Sequence, residues 1–298
     1  MYKKMLVLLD GSKLAEVVFT YAQELSGRLN IDLDLLHVCS PQEAEQLPMR
    51  QAYMEHMAEI LQSKAAEIRS RVGNKTPDYE IKARGKVIVG YPAEEILKYS
   101  AENDIDLIML STHGRSGIGR WDLGSVANKV IHASPIPIWL VPSELREEII
   151  YDKLPKRTTV IPLDGSQFSE AVIPHAINIA KQRGAETEIV LIHIQSDLSL
   201  PYNIELAKKR ESEIAANKQY LENVAARIEN SGIKARIEML DGYPARTIIN
   251  FVKDNPAQLI AMTTHGHAGL SRMVFSSFTE NILHLVKKTP IFLVKASE

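Results

Sequence analysis

The 298-residue sequence has one cysteine, Cys39, so no disulfide can close within the chain, which is compatible with a reducing cytoplasm. An excess of charge is also missing, since 35 Lys and Arg stand against 37 Asp and Glu for a formal net charge of −2. Nucleic acids and anionic membranes favour basic surfaces, so neither is an expected partner. Long apolar runs are absent as well. The run that begins at Met5 is ended by Asp10 after five residues, too few for a signal-peptide core, and no other run approaches the ~20 residues that span a bilayer. A soluble, cytoplasmic protein is expected. With 45% apolar and 24% charged residues the composition is globular, and the length suits two domains of about 150 residues each.

The sequence does contain an internal repeat. "MLVLLDGS" (Met5 to Ser12) matches "TVIPLDGS" (Thr159 to Ser166), and "DLLHV" (Asp34 to Val38) matches "VLIHI" (Val190 to Ile194). Further on, "GYPAEEIL" from Gly90 matches "GYPARTII" from Gly242, "STHG" matches "TTHG", and "IPIWLV" from Ile136 matches "TPIFLV" from Thr289. The offset runs only from 152 residues (Gly90 to Gly242) to 156 (Asp34 to Val190). Five ordered matches at a nearly fixed offset indicate a tandem duplication. The expected division is a first domain over 1–143, a linker over 144–157 carrying "ELREEIIYDKLPKR", and a second domain over 158–298.

Within each half, short β-rich runs alternate with longer helical patterns, which implies parallel strands joined by crossover helices. Strands are expected near 5–9, 32–38, 79–86, 106–111 and 137–141. Leu14, Val18, Ala22 and Leu25 recur at helical spacing between the first two. The polar stretch from Gln42 to about Arg71 carries Met54, Met57, Ile60 and Leu61 at similar spacing. Helices over Gly90–Glu102 and Gly124–Ala133 complete the pattern. The expected fold is α/β: an open, doubly wound, five-stranded parallel sheet, occurring twice.

The stretch "STHGRSGIGRWDLGS" (Ser111 to Ser125) runs from the fourth strand to the fourth helix, and "TTHGHAGLSRMVFSS" (Thr263 to Ser277) is its counterpart. In such a sheet, ligands settle beyond the carboxyl ends of the strands, where the strand order reverses. Gly114, Gly117, Gly119 and Gly124 let the backbone approach a ligand, and the N–H groups opening the helix near Ser125 and Val126 suit an anion. The general phosphate motifs do not fit. "GRSGIGRW" lacks the Gly-Lys-Ser/Thr ending of a P-loop and the spacing of G-x-G-x-x-G. On the residues alone, a phosphate site and a structural turn both stay open.

Ser111-x2-Gly114-x9-Gly124-Ser125 resembles the G-x2-G-x9-G-[ST] motif of the universal stress protein family. The order "DGS…HV…GYPAEEIL…STHG…GS…PIWLV" is similar to that family over nearly the whole chain, in both halves. The resemblance implies an adenine nucleotide alpha hydrolase-like fold. It also implies ATP at the sheet edge, with Mg2+ carried on the phosphates. By position, adenosine contacts fall on Leu9, Asp10, Val38, Leu110 and Ser111, and phosphate contacts on Gly114, Gly124, Ser125 and Val126. In the second half the matching positions are Leu163, Asp164, Ile194, Met262 and Thr263, then Gly266, Ser276, Ser277 and Phe278. Ser111 and Thr263 replace the first glycine of the motif, and Ser276 replaces the last glycine in the second half. The resemblance also implies that the fifth strands pair within the chain, making a pseudo-dimer; dimerisation of whole chains is compatible with the sequence but not fixed by it.

Structural roles compete at several of these positions. Asp10 and Asp164 precede Gly-Ser at strand ends, where a carboxylate can simply accept N–H bonds at the start of the next helix. His37 and His193 lie within strand runs, where core packing with one satisfied nitrogen is expected. His113 and His265 precede glycine and serve either a phosphate or the turn. Cys39 is read as an incidental thiol, and "THGH" (Thr264 to His267) lacks the spacing of a nucleotidyltransferase signature. No general base, nucleophile or carboxylate pair is evident in either loop, so no catalytic residue is assigned. The expected function is a stress-response regulator that binds ATP without efficient turnover; a scaffold without nucleotide and a slow ATPase are the alternatives.

Overall fold

The computed structural model describes the chain except residues 11, 73–78, 113–122, 143, 185, 196–203, 265–276 and 297–298 and the side chains of 13–16. Apolar runs form the strands, and the amphipathic stretches between them form helices. In the first half the order is β1 (Lys4–Leu8), α1 (Lys13–Leu29), β2 (Asp32–Cys39), a 3-10 turn (Pro41–Gln46), α2 (Leu47–Val72), β3 (Ala83–Val89), α3 (Pro92–Glu102), β4 (Leu107–Ser111), α4 (Ser125–Ala133) and β5 (Ile138–Val141). A short α5 (Glu147–Ile150) follows. The second half repeats the plan: β6 (Arg157–Pro162), α6 (Gln167–Glu170), α7 (Ile173–Arg183), β7 (Thr187–Gln195), α8 (Ile204–Glu229), β8 (Lys234–Asp241), α9 (Pro244–Asp254), β9 (Leu259–Thr263), α10 (Ser277–Leu285) and β10 (Ile291–Val294). None of the helices is long and apolar enough to cross a membrane, among the described residues.

The chain divides into two compact units, the first comprising Met1–Lys153 with Val286–Leu293, the second Leu154–Leu285 with Val294–Glu298. In the first unit the strand order is β3-β2-β1-β4-β5, all parallel, followed by β10 antiparallel to β5. The two fifth strands therefore pair, with Phe292 opposite Trp139. Their rings meet edge to face at 5.7 Å, and Tyr21 meets Trp139 the same way at 6.2 Å. Such pairs contribute about 0.5–1.5 kcal/mol each beyond the area they bury. Trp139 and Phe292 are fully buried, so an otherwise exposed apolar edge is closed. In the second unit the order is β9-β6-β7-β8, again parallel.

Several elements differ from the sequence pattern. The third strand lies at Ala83–Val89 rather than 79–86, because it registers on β2 from Leu33↔Ala83 to Cys39↔Val89. The division between the units, Lys153 to Leu154, falls inside the expected linker 144–157, which carries α5 with Ile149 and Ile150 buried. Arg28 also binds Asp152 at 3.2 Å and the carbonyl of Tyr151 at 3.2 Å. The helix after β6 breaks where α1 runs unbroken. Pro174 stands at its restart, and a proline ring inside a continuous helix would strike the carbonyl of Glu170.

Helix α2 buries Met54, Ala58, Leu61, Ala65 and Ile68, while Ile60, expected on the same face, points outward. The buried stripe is partly alanine because α2 lies hard against its neighbours. A Cβ on Gly27 of α1 would sit 2.6 Å from the Ala65 carbonyl oxygen, and one on Gly85 of β3 would sit 2.1 Å from that of Met54. Lys181 and Ile237 occupy the matching places in the second half. There α8 packs on β8 and β7 through Leu221, Val224 and Ile228 near its C-terminus, whereas Ile204, Leu206 and Ile214 remain exposed. In the first half, Gly27 and Gly85 thus allow α2 to lie close against α1 and β3.

β2 also carries a buried carboxylate, Asp34, bound by Arg84 through two contacts of 2.7 Å, by Lys4 at 3.2 Å and by the Tyr99 hydroxyl at 3.1 Å. Burial, then the Asp34 charge, pushes the Tyr99 phenol up to about 12. Val190 and Phe251 stand at the matching positions of the second half, which does without this charge cluster.

Replacing Gly85 with Ala is expected to cost about 1–3 kcal/mol, since the new methyl meets backbone that cannot rotate away. Denaturant unfolding checks this as a lower midpoint at constant m-value. An unchanged midpoint would mean that α2 does not rest on β3 at Gly85.

Candidate functional site

β1 has β2 on one side and β4 on the other, so the winding of the sheet reverses between β1 and β4. In open α/β sheets a crevice forms at the carboxyl ends of the strands where the order reverses, which here is between β1 and β4, and in the second unit between β6 and β9. The floor begins where β1 stops. The Leu9 N–H continues the ladder to the Leu36 carbonyl at 3.0 Å, and the Asp10 carboxylate then accepts the Ser12 N–H at 3.0 Å. This two-residue turn is the local capping role that competes with ligand contact. In the second unit Leu163 N–H meets the Ile192 carbonyl at 2.8 Å, and Asp164 Oδ1 accepts both the N–H and the hydroxyl of Ser166, at 2.9 and 2.6 Å. Ser166 in turn caps α6 by accepting the Ser169 N–H.

The β2 wall is made by Val38, half-buried, beside the buried His37. His37 Nδ1 lies 2.7 Å from the Leu9 carbonyl oxygen, and Nε2 lies 2.7 Å from Arg50 Nη1. Arg50 Nη2 also donates to Glu43 at 2.8 Å and to Gln46 at 3.0 Å. Glu43 accepts the N–H and hydroxyl of Ser40 at 3.1 and 3.0 Å, a reciprocal cap on the turn after β2. Ser40 N–H, the Arg50 guanidinium and the Ser40 hydroxyl hold the Glu43 carboxyl at about 2. In the second unit Ile194 is half-buried at the matching place, and His193 Nδ1 contacts the Leu163 carbonyl at 2.9 Å. Each strand histidine therefore has the satisfied ring nitrogen that the sequence suggested. Arg50 was not singled out there, because nothing in its spacing distinguishes it from other charged residues on the polar face of α2.

On the other side of the crevice, Leu110 is buried and Ser111 half-buried at the end of β4. Thr112 ties this end down in two directions: its N–H donates to the Val141 carbonyl at 3.0 Å, and its own carbonyl accepts the Gly124 N–H at 3.1 Å. The second bond brings the start of α4 back to the strand end. Ser125 is exposed and Val126 half-buried in the first turn, beside the positive end of the helix dipole, and the first N–H groups of a helix have no partner within it. Gly124 is the N-cap at φ −55°, a value open to any residue, so its backbone conformation does not require glycine.

The matching residues of the second unit are arranged differently. Met262 and Thr263 are buried, Ser277 is exposed and Phe278 is half-buried. Thr264 N–H meets the Val294 carbonyl at 3.0 Å, repeating the bond of Thr112. Thr279, where the first half has Ala127, places its hydroxyl 3.4 Å from the Thr263 carbonyl and 3.3 Å from that of Thr264. Gly114, Gly266 and Ser276, with His113 and His265, lie outside the described residues. The structure thus gathers Leu9, Asp10, Val38, Leu110 and Ser111 at three adjacent strand ends, with Gly124, Ser125 and Val126 tied to them through Thr112. Among the described residues no group of His, Cys, Asp and Glu is placed to hold a metal ion.

Known proteins share both the repeat and the architecture. The model of the universal stress protein family matches residues 1–142 and again 156–295. A universal stress protein of Methanocaldococcus jannaschii is 34% identical over 149 residues, covering 50% of this chain and 84% of that protein. One from Mycobacterium tuberculosis is 24% identical over 298 residues, covering 97% of this chain and 95% of its own. Among solved structures, a universal stress protein from Archaeoglobus fulgidus superposes with a TM-score of 0.64 at 21% identity, over 99% of this chain and 98% of that one. With two family matches that together span nearly its whole length, the chain belongs to the universal stress protein family.

Proposed function

We propose that the protein is a stress-response regulator that binds ATP, with Mg2+ carried on the phosphates, at the carboxyl edge of β1, β2 and β4. One observation carries the reading. α4 begins at the switch point on a glycine whose φ needs no glycine, held there by the Gly124–Thr112 bond. A residue without a side chain at that place keeps the helix N-terminus open to an anion. Leu9, Val38 and Leu110 supply apolar surface for a base, while Asp10 and Ser111 supply polar atoms beside it. The coarser part of the reading, an adenine nucleotide bound by the first half, rests on these residues; the preference for ATP rests on the loop that carries Gly114.

The second site is proposed to be the weaker. Ser276 adds a Cβ where the motif has glycine, and Thr263 is buried, with Thr279 bound to its carbonyl. This half is where a purely structural role is favoured.

Titration calorimetry with ATP and Mg2+ is expected to show binding that Gly124→Val abolishes, through contact of the new side chain with phosphate. Absence of both heat and a ligand-dependent melting shift at millimolar ATP would leave the scaffold reading.

Stoichiometry separates the halves. Wild type is expected to bind one ATP tightly, and Ser276→Gly to strengthen the second site. A full-affinity site surviving in Gly124→Val, with Ser276→Gly silent, would reverse the ranking.

Release of inorganic phosphate is expected to stay far below the ~1 s⁻¹ at the low end of typical enzymes, because the sequence of neither loop offers an evident base for activating water. Turnover at or above that rate would make the protein an ATPase.

A further inference from the structure

We propose that His37 is a positioning residue for the first nucleotide site, an inference that rests on the reading of that site given above. The geometry fixes its chemical form. A carbonyl oxygen only accepts, so Nδ1, at 2.7 Å from the Leu9 carbonyl, carries the proton. A guanidinium only donates, so Nε2, at 2.7 Å from Arg50 Nη1, presents its lone pair. One form satisfies both: the neutral Nδ1–H tautomer. A protonated ring would set an N–H against the Arg50 cation. Glu43 and Gln46 hold the other side of that guanidinium, and the Ser40 cap holds Glu43. The tautomer is therefore enforced from the turn after β2.

What this ring holds is the peptide between Leu9 and Asp10. The N–H side of Leu9 is committed to Leu36, and its carbonyl is committed to His37. With both ends bound, the chain leaves β1 in one direction, and that direction sets where Asp10 stands at the pocket floor. The second unit repeats the clamp through His193 and Leu163 at 2.9 Å. The contact is kept in both copies at the same strand end, so it goes with that strand end and not with packing peculiar to one half. His37 is 7% exposed, with both ring nitrogens committed to protein atoms, so its part is to hold the strand end rather than to meet a ligand itself.

Two substitutions separate its two bonds, because an asparagine amide nitrogen falls near the Nδ1 position and a glutamine amide near the Nε2 position. In the full chain, His37→Phe is expected to weaken ATP binding about tenfold, equal to ~1.4 kcal/mol and within the range for one lost hydrogen bond. His37→Asn recovers most of that loss; His37→Gln, which keeps only the Arg50 contact, does not. Nitrogen NMR of the ligand-free protein is expected to show a protonated Nδ1 and a bare Nε2 at His37, with the preference reduced in Arg50→Ala. Melting curves establish that the Asn and Gln variants are equally folded, so the comparison stands even if the Phe variant does not fold. ATP binding by His37→Gln equal to wild type, or a proton found on Nε2 of the neutral ring, overturns the positioning role. If wild type itself binds no ATP, the nucleotide reading and the positioning role fall together, while the NMR signal still reports whether the clamp exists.

Discussion

Parallel strands cannot be joined by tight turns, and this constraint organises the protein. Each strand must be followed by a crossover that returns over one face of the sheet, and crossovers of one hand cover both faces only if the chain starts in the middle and winds outward both ways. In the first unit β1 is that starting strand, flanked by β2 and β4. The helices that follow β1 and β4 depart to opposite sides, and the gap between them is the crevice. Leu9, Asp10, Ser111 and Gly124 meet there although more than 100 residues of sequence separate the first from the last. The bond from Gly124 to Thr112 ties the start of α4 to the end of β4 beside this gap.

Duplication copied the sheet more faithfully than it copied the helix packing. The strand order, the aspartate turn after the first strand and the histidine clamp recur in both units. The second helix does not recur in its packing. In the first half it rests on Gly27 and Gly85, where a Cβ would overlap backbone, and in the second half Lys181 and Ile237 forbid that approach. Strand pairing is fixed by backbone hydrogen bonds and tolerates many side chains, whereas close helix packing depends on single small residues. The same logic covers Asp34. Its carboxylate is satisfied by Arg84, Lys4 and Tyr99 together, and the apolar Val190 and Phe251 stand where Asp34 and Tyr99 would be in the second half.

These differences explain which features could be read in advance. The repeat locates the strands because turns and strand ends impose residue types, as in Asp10-Gly11-Ser12 and Gly90-Tyr91-Pro92. The pairing of β5 with β10 was legible for a related reason, since two short apolar edge runs need cover. By contrast, the boundaries of β3 depend on its register against β2, which no local pattern encodes. Ile60 stands one residue from the buried Leu61 but about a quarter turn away, and the buried face runs through Ala58, Leu61 and Ala65 instead. Arg50 is recognisable only once His37 is seen beside it. The break between α6 and α7 did have a sequence signal, Pro174, which the match of the two halves concealed.

Polar atoms at the two matching strand ends are partnered differently. A polar group that already has a good partner gains little from a ligand, because binding only exchanges one hydrogen bond for another. In the second unit the Ser166 hydroxyl both donates to Asp164 and accepts from Ser169, and the Thr279 hydroxyl stands against the two carbonyls that end β9. In the first unit the matching Ser12 hydroxyl oxygen is buried without a partner among the described residues, and Ala127 replaces Thr279, leaving no hydroxyl at that place. An unsatisfied buried oxygen carries a standing cost of about 1–3 kcal/mol, which a ligand or water can relieve. Duplicated sites therefore need not lose a binding residue to diverge. It is enough that one copy satisfies internally a polar group that the other leaves without a partner among the described residues, as the Ser166 and Ser12 hydroxyls do.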